Sequence, residues 1–175
     1  MTIRSSLFAL AAAAFAFAAV TLGPRPAQAQ DLAKVHQSMD LLKSEAAKLG
    51  APKIEGTDVV TGKTVPALYF GTTKINNNYD LVDAVVKQEG GTATIFVKSG
   101  ADYVRISTNV KKDDGSRATG TILDPKGKVI VSINKNEAFY GAVDILGKPY
   151  VTGYEPIHDA AGAVIGIYYV GYLKQ

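Results

Sequence analysis

A chain of 175 residues with 47% hydrophobic and 20% charged side chains can bury the core of one domain, which excludes a disordered polymer. It contains no cysteine, and this excludes a disulfide framework, a thiolate metal site and a cysteine nucleophile. The formal charge of +3 falls to +1 once Arg4 and Arg25 are set aside with the leader segment, and the remaining 17 basic and 16 acidic residues are interleaved, which argues against nucleic acid or an anionic membrane surface as partner.

Residues 1–29 have the build of an export signal: Arg4 makes a positive start, residues 7–22 are apolar or nearly so, and Ala27-Gln28-Ala29 is a small-x-small cleavage site. The apolar run is short for a spanning helix, so the expectation is a periplasmic protein whose mature chain begins at Gln30. Leu32, Val35, Met39, Leu42, Ala46 and Leu49 then recur at spacings of three and four, predicting a helix over residues 30–50 that Asp31 caps and Lys48, Gly50 and Pro52 end. This stripe is expected to pack on the chain's own sheet, with a coiled-coil seam as the second reading.

Residues 51–64 read as a loop with a short edge strand at 58–61, and residues 65–70 as a second edge strand limited by Pro66. Asn76, Asn77 and Asn78 offer capping side chains to a short helix through Leu81, Val82, Val85 and Val86, which Gly90-Gly91 stops. Apolar and polar residues alternate over 92–98 and again over 102–108 about Ser99-Gly100, predicting a β-hairpin. A charged loop follows at 111–117, then the hydroxyl-bearing run from Thr119 to Thr121. Asp124-Pro125 begins a helix read through Asn136. Three strands, 138–146, 150–157 and 163–173, are separated by turns at Gly147-Lys148-Pro149 and at 159–162. Short turns join antiparallel neighbours, so the hairpin and these three strands give a five-stranded antiparallel sheet.

Period-two geometry sorts the strand side chains by face. Tyr103, Arg105 and Ser107 share one side, as do Tyr140 and Asp144 on a later strand, and Tyr150, Thr152 and Tyr154 on its neighbour. The opposite sides, with Val104, Ile106, Val143, Ile145, Val151 and Ile157, suit packing under a helix. Tyrosine hydroxyls around one guanidinium suit a small anion, because arginine presents a fixed fork of donors to a carboxylate. The alternative is that these are ordinary half-buried strand residues, with Arg105 paired to Asp102 or Asp144. Arg117 and Thr119 are read as contacts folded over the pocket, with a plain surface arginine as the alternative for Arg117. The expected ligand-binding set is thus Arg105, Ser107, Arg117, Thr119, Tyr140, Tyr150, Thr152 and Tyr154. Asp113-Asp114-Gly115 lacks the further spaced oxygen ligands that calcium needs and reads as a turn. His36 and His158 have no companion ligands nearby in sequence. No nucleophile elbow, phosphate loop or paired-acid motif is present, so neither an enzyme, a metal site nor a cofactor is expected.

Five ordered blocks, NNNYDLVDAV (76–85), TATIF (92–96), YVRISTNVKKDDGSRATGTIL (103–123), FYGAVDILGKPYVTGYEPIHDAAG (139–162) and VIGIYYVGYLK (164–174), resemble the Cache domains. These are extracytoplasmic PAS-like sensor modules, and the similarity is to the Cache 3/Cache 2 fusion type found in bacterial methyl-accepting chemotaxis proteins and sensor kinases. The resemblance implies an α+β, PAS-like Cache fold: a long N-terminal helix packed on a five- to six-stranded antiparallel sheet, here one domain over 51–175 preceded by the helix at 30–50. It also implies a small-molecule pocket on the sheet's other face and admits a homodimer through the N-terminal helix. Family members usually lie between two membrane helices and continue into a cytoplasmic output module, whereas this chain opens on a cleavable signal and ends at Gln175. The expectation is therefore a stand-alone exported module that binds a small anionic metabolite such as a carboxylate and reports to a separate membrane chemoreceptor or histidine kinase in signal transduction or chemotaxis. Amino-acid-sensing relatives carry an Arg-x-Trp-Tyr signature; this chain has no tryptophan, so an amino acid is not the expected ligand. The alternative is a Cache-fold structural or protein-interaction module without a small ligand.

Overall fold

The computed structural model describes residues 27–174, with side chains from residue 31 onward. Nearly all of the segment read as an export signal lies outside the described residues. Helix α1 (Ala27–Leu49) buries the middle of the expected stripe, with Val35, Met39, Leu42 and Ala46 buried to within 1%, while Leu32 is half-buried and Leu49 at the end is 37% exposed. The four buried residues pack on Ile95, Val97, Ile106, Val151 and Val170 of a five-stranded sheet, and each fully buried large side chain contributes about 1.5–3 kcal/mol. The outward positions, among them Lys34, Gln37, Asp40, Lys43 and Ser44, are exposed, so α1 carries no second apolar seam. The helix ends where Gly50 passes against Gly71; a Cβ on Gly50 would lie 2.6 Å from the Gly71 Cα, and both residues have positive φ.

Two antiparallel sheets follow. Strands β1 (Pro52–Val60), β2 (Lys63–Phe70) and β3 (Thr73–Lys74) make a small sheet in the order β1-β2-β3. Residues 51–64, expected to be mostly loop, are thus mostly strand. Most of β1 is exposed on both faces and broken by a register shift between Ile54 and Thr57, which erases the alternation that marks a half-buried strand. Its hairpin turn is Thr61-Gly62, both at positive φ, the geometry of a two-residue type I′ connection.

Helix α2 (Asp80–Glu89) buries Leu81, Val82 and Val85 and is entered through Asn78, whose Oδ1 accepts from Asp80 N at 3.0 Å. Strands β4 (Thr92–Ser99) and β5 (Asp102–Thr108) form the expected hairpin. Helix α3 (Lys128–Asn134) is shorter than expected, because Asp124 does not cap it. Its Oδ1 instead accepts from Lys126 N at 2.9 Å and closes a turn over Pro125. Strands β6 (Phe139–Ile145), β7 (Lys148–His158) and β8 (Val164–Leu173) complete the large sheet, in the order β5-β4-β8-β7-β6. The last strand therefore lies at the centre, between β4 and β7.

The two faces of this sheet carry different cores. One faces α1 and α2. The other holds Phe96, Tyr103, Tyr154, Ile167 and Tyr169 under α3 and the 118–123 segment. That segment runs along the outer edge of β5, with Arg105 N to Thr121 O at 2.9 Å, Gly120 N to Arg105 O at 2.8 Å and Leu123 N to Tyr103 O at 2.9 Å, so the edge of β5 is covered.

Candidate functional site

Under α3 the second face opens into a cavity of about 600 Å³. Its floor is Arg105 and Tyr154, its roof the stretch Ile122, Leu123 and Asp124 with Gly127, Lys128 and Val129, and its far wall the end of β6 from Ala142 to Leu146. Arg105 is 5% exposed. Its Nη1 donates to Thr121 Oγ1 at 2.9 Å, and its guanidinium lies 5.0 Å above the Phe96 ring, a cation–π contact. Its Nε is buried without a hydrogen-bond partner among the described residues, and none of the ion pairs found there includes it. Neither Asp102 nor Asp144 neutralises it. Burial pulls its pKa down, with the electrostatic influence of the Tyr154 and Tyr169 hydroxyls opposing that shift, although arginine remains charged. Burial likewise pushes the Tyr154 hydroxyl up, partly offset by Arg105. Tyr154 is held edge-on by Phe139 at 6.3 Å and tilted against Tyr169 at 4.9 Å.

Of the residues expected at the site, Arg105 and Tyr154 line the cavity. Tyr150 and Thr152 share the face of Tyr154 but stand outside the cavity wall: Tyr150 packs with the second core, and the Thr152 hydroxyl donates to Gly141 O at 2.8 Å. The other four lie elsewhere. Ser107 is displaced by a bulge: the register shifts so that Ile95 faces Ser107 while Phe96 faces Arg105, and Ile106 and Ser107 both fall toward the α1 side, where Ile95 and Ile106 are core residues. Arg117 reaches the side chain of α2 rather than the pocket. Its Nη1 and Nη2 each donate to one Asp83 carboxylate oxygen at 2.7 Å, and Nη1 also donates to Thr108 O at 2.8 Å. The guanidinium stacks on Tyr79 at 4.3 Å, and the hydrogen bonds it donates to Asp83 raise its pKa. Thr119 joins this clamp, its hydroxyl 3.3 Å from Tyr79 Oη.

Tyr140 lies on the α1 face, stacked on His36 with ring centroids 3.8 Å apart and donating to Glu155. The reason is register. Phe139 pairs with Tyr154, Tyr140 with Gly153 and Val143 with Tyr150, and directly opposed residues share a face. Hence Phe139, Val143 and Ile145 face the cavity side, reversing the expected sorting of β6. Gly153 leaves room for the Tyr140 ring, since a Cβ there would sit 2.6 Å from Tyr140 Cε1 and 2.9 Å from Val35 Cγ1.

Thr121, Phe96, Leu123 and Lys128 were not anticipated at the site. Thr121 was visible only as part of a hydroxyl run, and its role depends on the 118–123 segment pairing with β5. Among the described residues no group of three or more His, Asp or Glu side chains could hold a metal ion, and no helix is long and apolar enough to cross a membrane. The arrangement can seat an anion: one buried fork of donors with an aromatic base, at the floor of a cavity that opens outward.

No curated protein matches the chain. Residues 27–175 match the model of the Cache 3/Cache 2 fusion domain, and the fold just described, α1 across one face of an antiparallel sheet and a cavity on the other, is the α+β PAS-like architecture of that family. The chain belongs to the Cache 3/Cache 2 fusion domain family, a family of extracytoplasmic sensor modules.

Proposed function

We propose that this protein is a ligand-binding sensor module that holds a small carboxylate on Arg105 and reports its presence to a separate membrane chemoreceptor or histidine kinase. The observation that carries this reading is the state of Arg105: 5% exposed, facing a cavity, with Nε unpartnered. A guanidinium has five N–H donors, and leaving a buried donor unsatisfied costs about 1–3 kcal/mol. A carboxylate entering the cavity would remove that penalty and neutralise the charge. Tyr154, on the same floor, supplies a neutral hydroxyl as a second hydrogen-bonding group, its ionisation suppressed by burial.

A thermal-shift screen of small carboxylates against the purified protein identifies binders, because a ligand that binds the native state raises the melting temperature. Calorimetric titration of such a binder into Arg105→Ala should show affinity lower by roughly 10- to 150-fold, the loss of a charged hydrogen bond of about 1.5–3 kcal/mol. Arg105→Lys should recover only part of it, because an ammonium lacks the planar fork. Unchanged affinity in a folded Arg105→Ala protein would assign Arg105 a structural role and move the site elsewhere.

A further inference from the structure

The wall of the cavity away from Arg105 is aliphatic. Leu123, Val129 and Ile145 are buried there and Val143 is half-buried, and the lip is formed by two large apolar side chains exposed to solvent, Ile122 at 42% and Leu146 at 46%. Leu146 is the unusual one. It occupies the first position of the two-residue turn between β6 and β7, at φ +53, followed by Gly147 at φ +80, with Ile145 and Lys148 paired across the turn. Such a type I′ turn favours asparagine, aspartate or glycine at that position, and a bulky side chain there is a backbone outlier. A residue held against its backbone preference with nearly half its surface in water is not explained by the stability of the turn. Its place on the rim of a cavity supplies a reason.

Charge narrows the ligand further. One carboxylate, that of Asp124, lies beside Gly127 in the cavity lining, while that of Asp144 turns away and accepts from Gly147 N; the one lysine there, Lys128, sits 5.4 Å over the Phe139 ring. A second negative group on a ligand would meet the Asp124 carboxylate and one cation that already has an aromatic partner. The cavity of about 600 Å³ equals about twenty water volumes, far more than a two- or three-carbon acid displaces.

We infer that the ligand is a monocarboxylate with an aliphatic body, its carboxylate on Arg105 and its chain running over Val143 and Ile145 to leave between Ile122 and Leu146. This rests on the anion site proposed above and names the chemistry of the rest of the molecule that fills it. Burial of each methylene against this wall strengthens binding by about two- to fourfold, the upper figure being full burial at about 0.8 kcal/mol per CH₂.

The test is calorimetric titration of butyrate, hexanoate and octanoate, with adipate and hexanol as six-carbon controls, into the wild-type protein, Leu146→Asn and Arg105→Ala. For the wild type, octanoate is expected to bind at least about 16-fold tighter than butyrate, with four added methylenes at twofold each or better, and hexanoate tighter than both controls. Leu146→Asn removes the left-handed strain and should raise the melting temperature by about 2 to 4 °C, while reducing the gain per methylene to less than twofold. Equal affinities for butyrate and octanoate, adipate binding as tightly as hexanoate, or an undiminished chain-length gain in Leu146→Asn would each overturn the aliphatic inference and leave the anion site standing. Absence of binding by all four acids, or hexanoate binding to Arg105→Ala as to wild type, would bring down the anion site and this inference together.

Discussion

Glu155 gathers the polar contacts on the α1 side of the sheet. Lys43 of α1 and Tyr140 of β6 both donate to its carboxylate, and the Tyr140 ring stacks on His36. Burial alone would push its pKa up, but the bonds from Lys43 and Tyr140 outweigh this and hold it below the usual 4.5. A carboxylate whose pKa is lower in the folded state contributes stability that is fully present above the unfolded value and is lost as pH falls through the folded one. Glu155→Gln should therefore be less stable than wild type at pH 7. The gap should narrow steadily as pH drops below about 4.5, read from urea denaturation at pH 7, 4 and 3. A gap that stays constant down to pH 3 would mean that the ionised form of Glu155 is not what holds α1 to β7. Arg117 and Arg105 make a contrast at the same scale. Arg117 has a bidentate carboxylate and a carbonyl and needs nothing more, whereas Arg105 is more deeply buried and has one hydroxyl.

At the scale of the element, α1 is held by its apolar stripe rather than by propensity. Leu42 is fully buried at the centre of the α1-side core. Leu42→Asp would place an unpaired charge there, costing several kcal/mol against a total stability of about 5–15, and should abolish the cooperative thermal transition seen by circular dichroism. A variant that melts like wild type would show that α1 is not packed on the sheet. The β6–β7 hairpin shows how one turn decides a site. A turn at residues 147–149 pairs even-numbered residues of β6 with even-numbered residues of β7 and puts Tyr140 on the same face as Tyr154. The actual turn, Leu146-Gly147, pairs Ile145 with Lys148, so odd faces even and every side chain of β6 changes face.

For the whole molecule, the order β5-β4-β8-β7-β6 makes the C-terminal strand the centre of the large sheet. Arg105, from β5 at one edge, therefore shares a cavity with residues of β6 at the other, and the site is complete only when β8 has closed the sheet between them. The N-terminal segment bears on where this domain works. Its positive start, apolar run and Ala27-Gln28-Ala29 site lead us to propose cleavage after Ala29. Intact-mass analysis of periplasmic protein should then give a chain beginning at Gln30, with α1 shortened by its first three residues, Ala27, Gln28 and Ala29. Recovery of the uncleaved chain in the membrane fraction would refute this.

Sequence alone determined the features that depend on neighbours in the chain. The 3.6-residue stripe of α1, the β4–β5 hairpin about Ser99-Gly100, the run of later strands and the buried-cation candidate Arg105 were all legible because each is a local periodicity or a lone charge in an apolar pattern. Tertiary structure decided which side chains share a face and which partners each charge meets. A bulge between Ile95 and Phe96 turned Ser107 toward α1, and a turn built on a leucine at φ +53 did the same for Tyr140. A helix distant in sequence supplied Asp83 to Arg117, while the return of residues 118–123 along β5 supplied Thr121 to Arg105. In a strand a one-residue offset reverses the face, and periodicity fixes the alternation without fixing its phase. The phase comes from pairing, which is settled only when the strands meet.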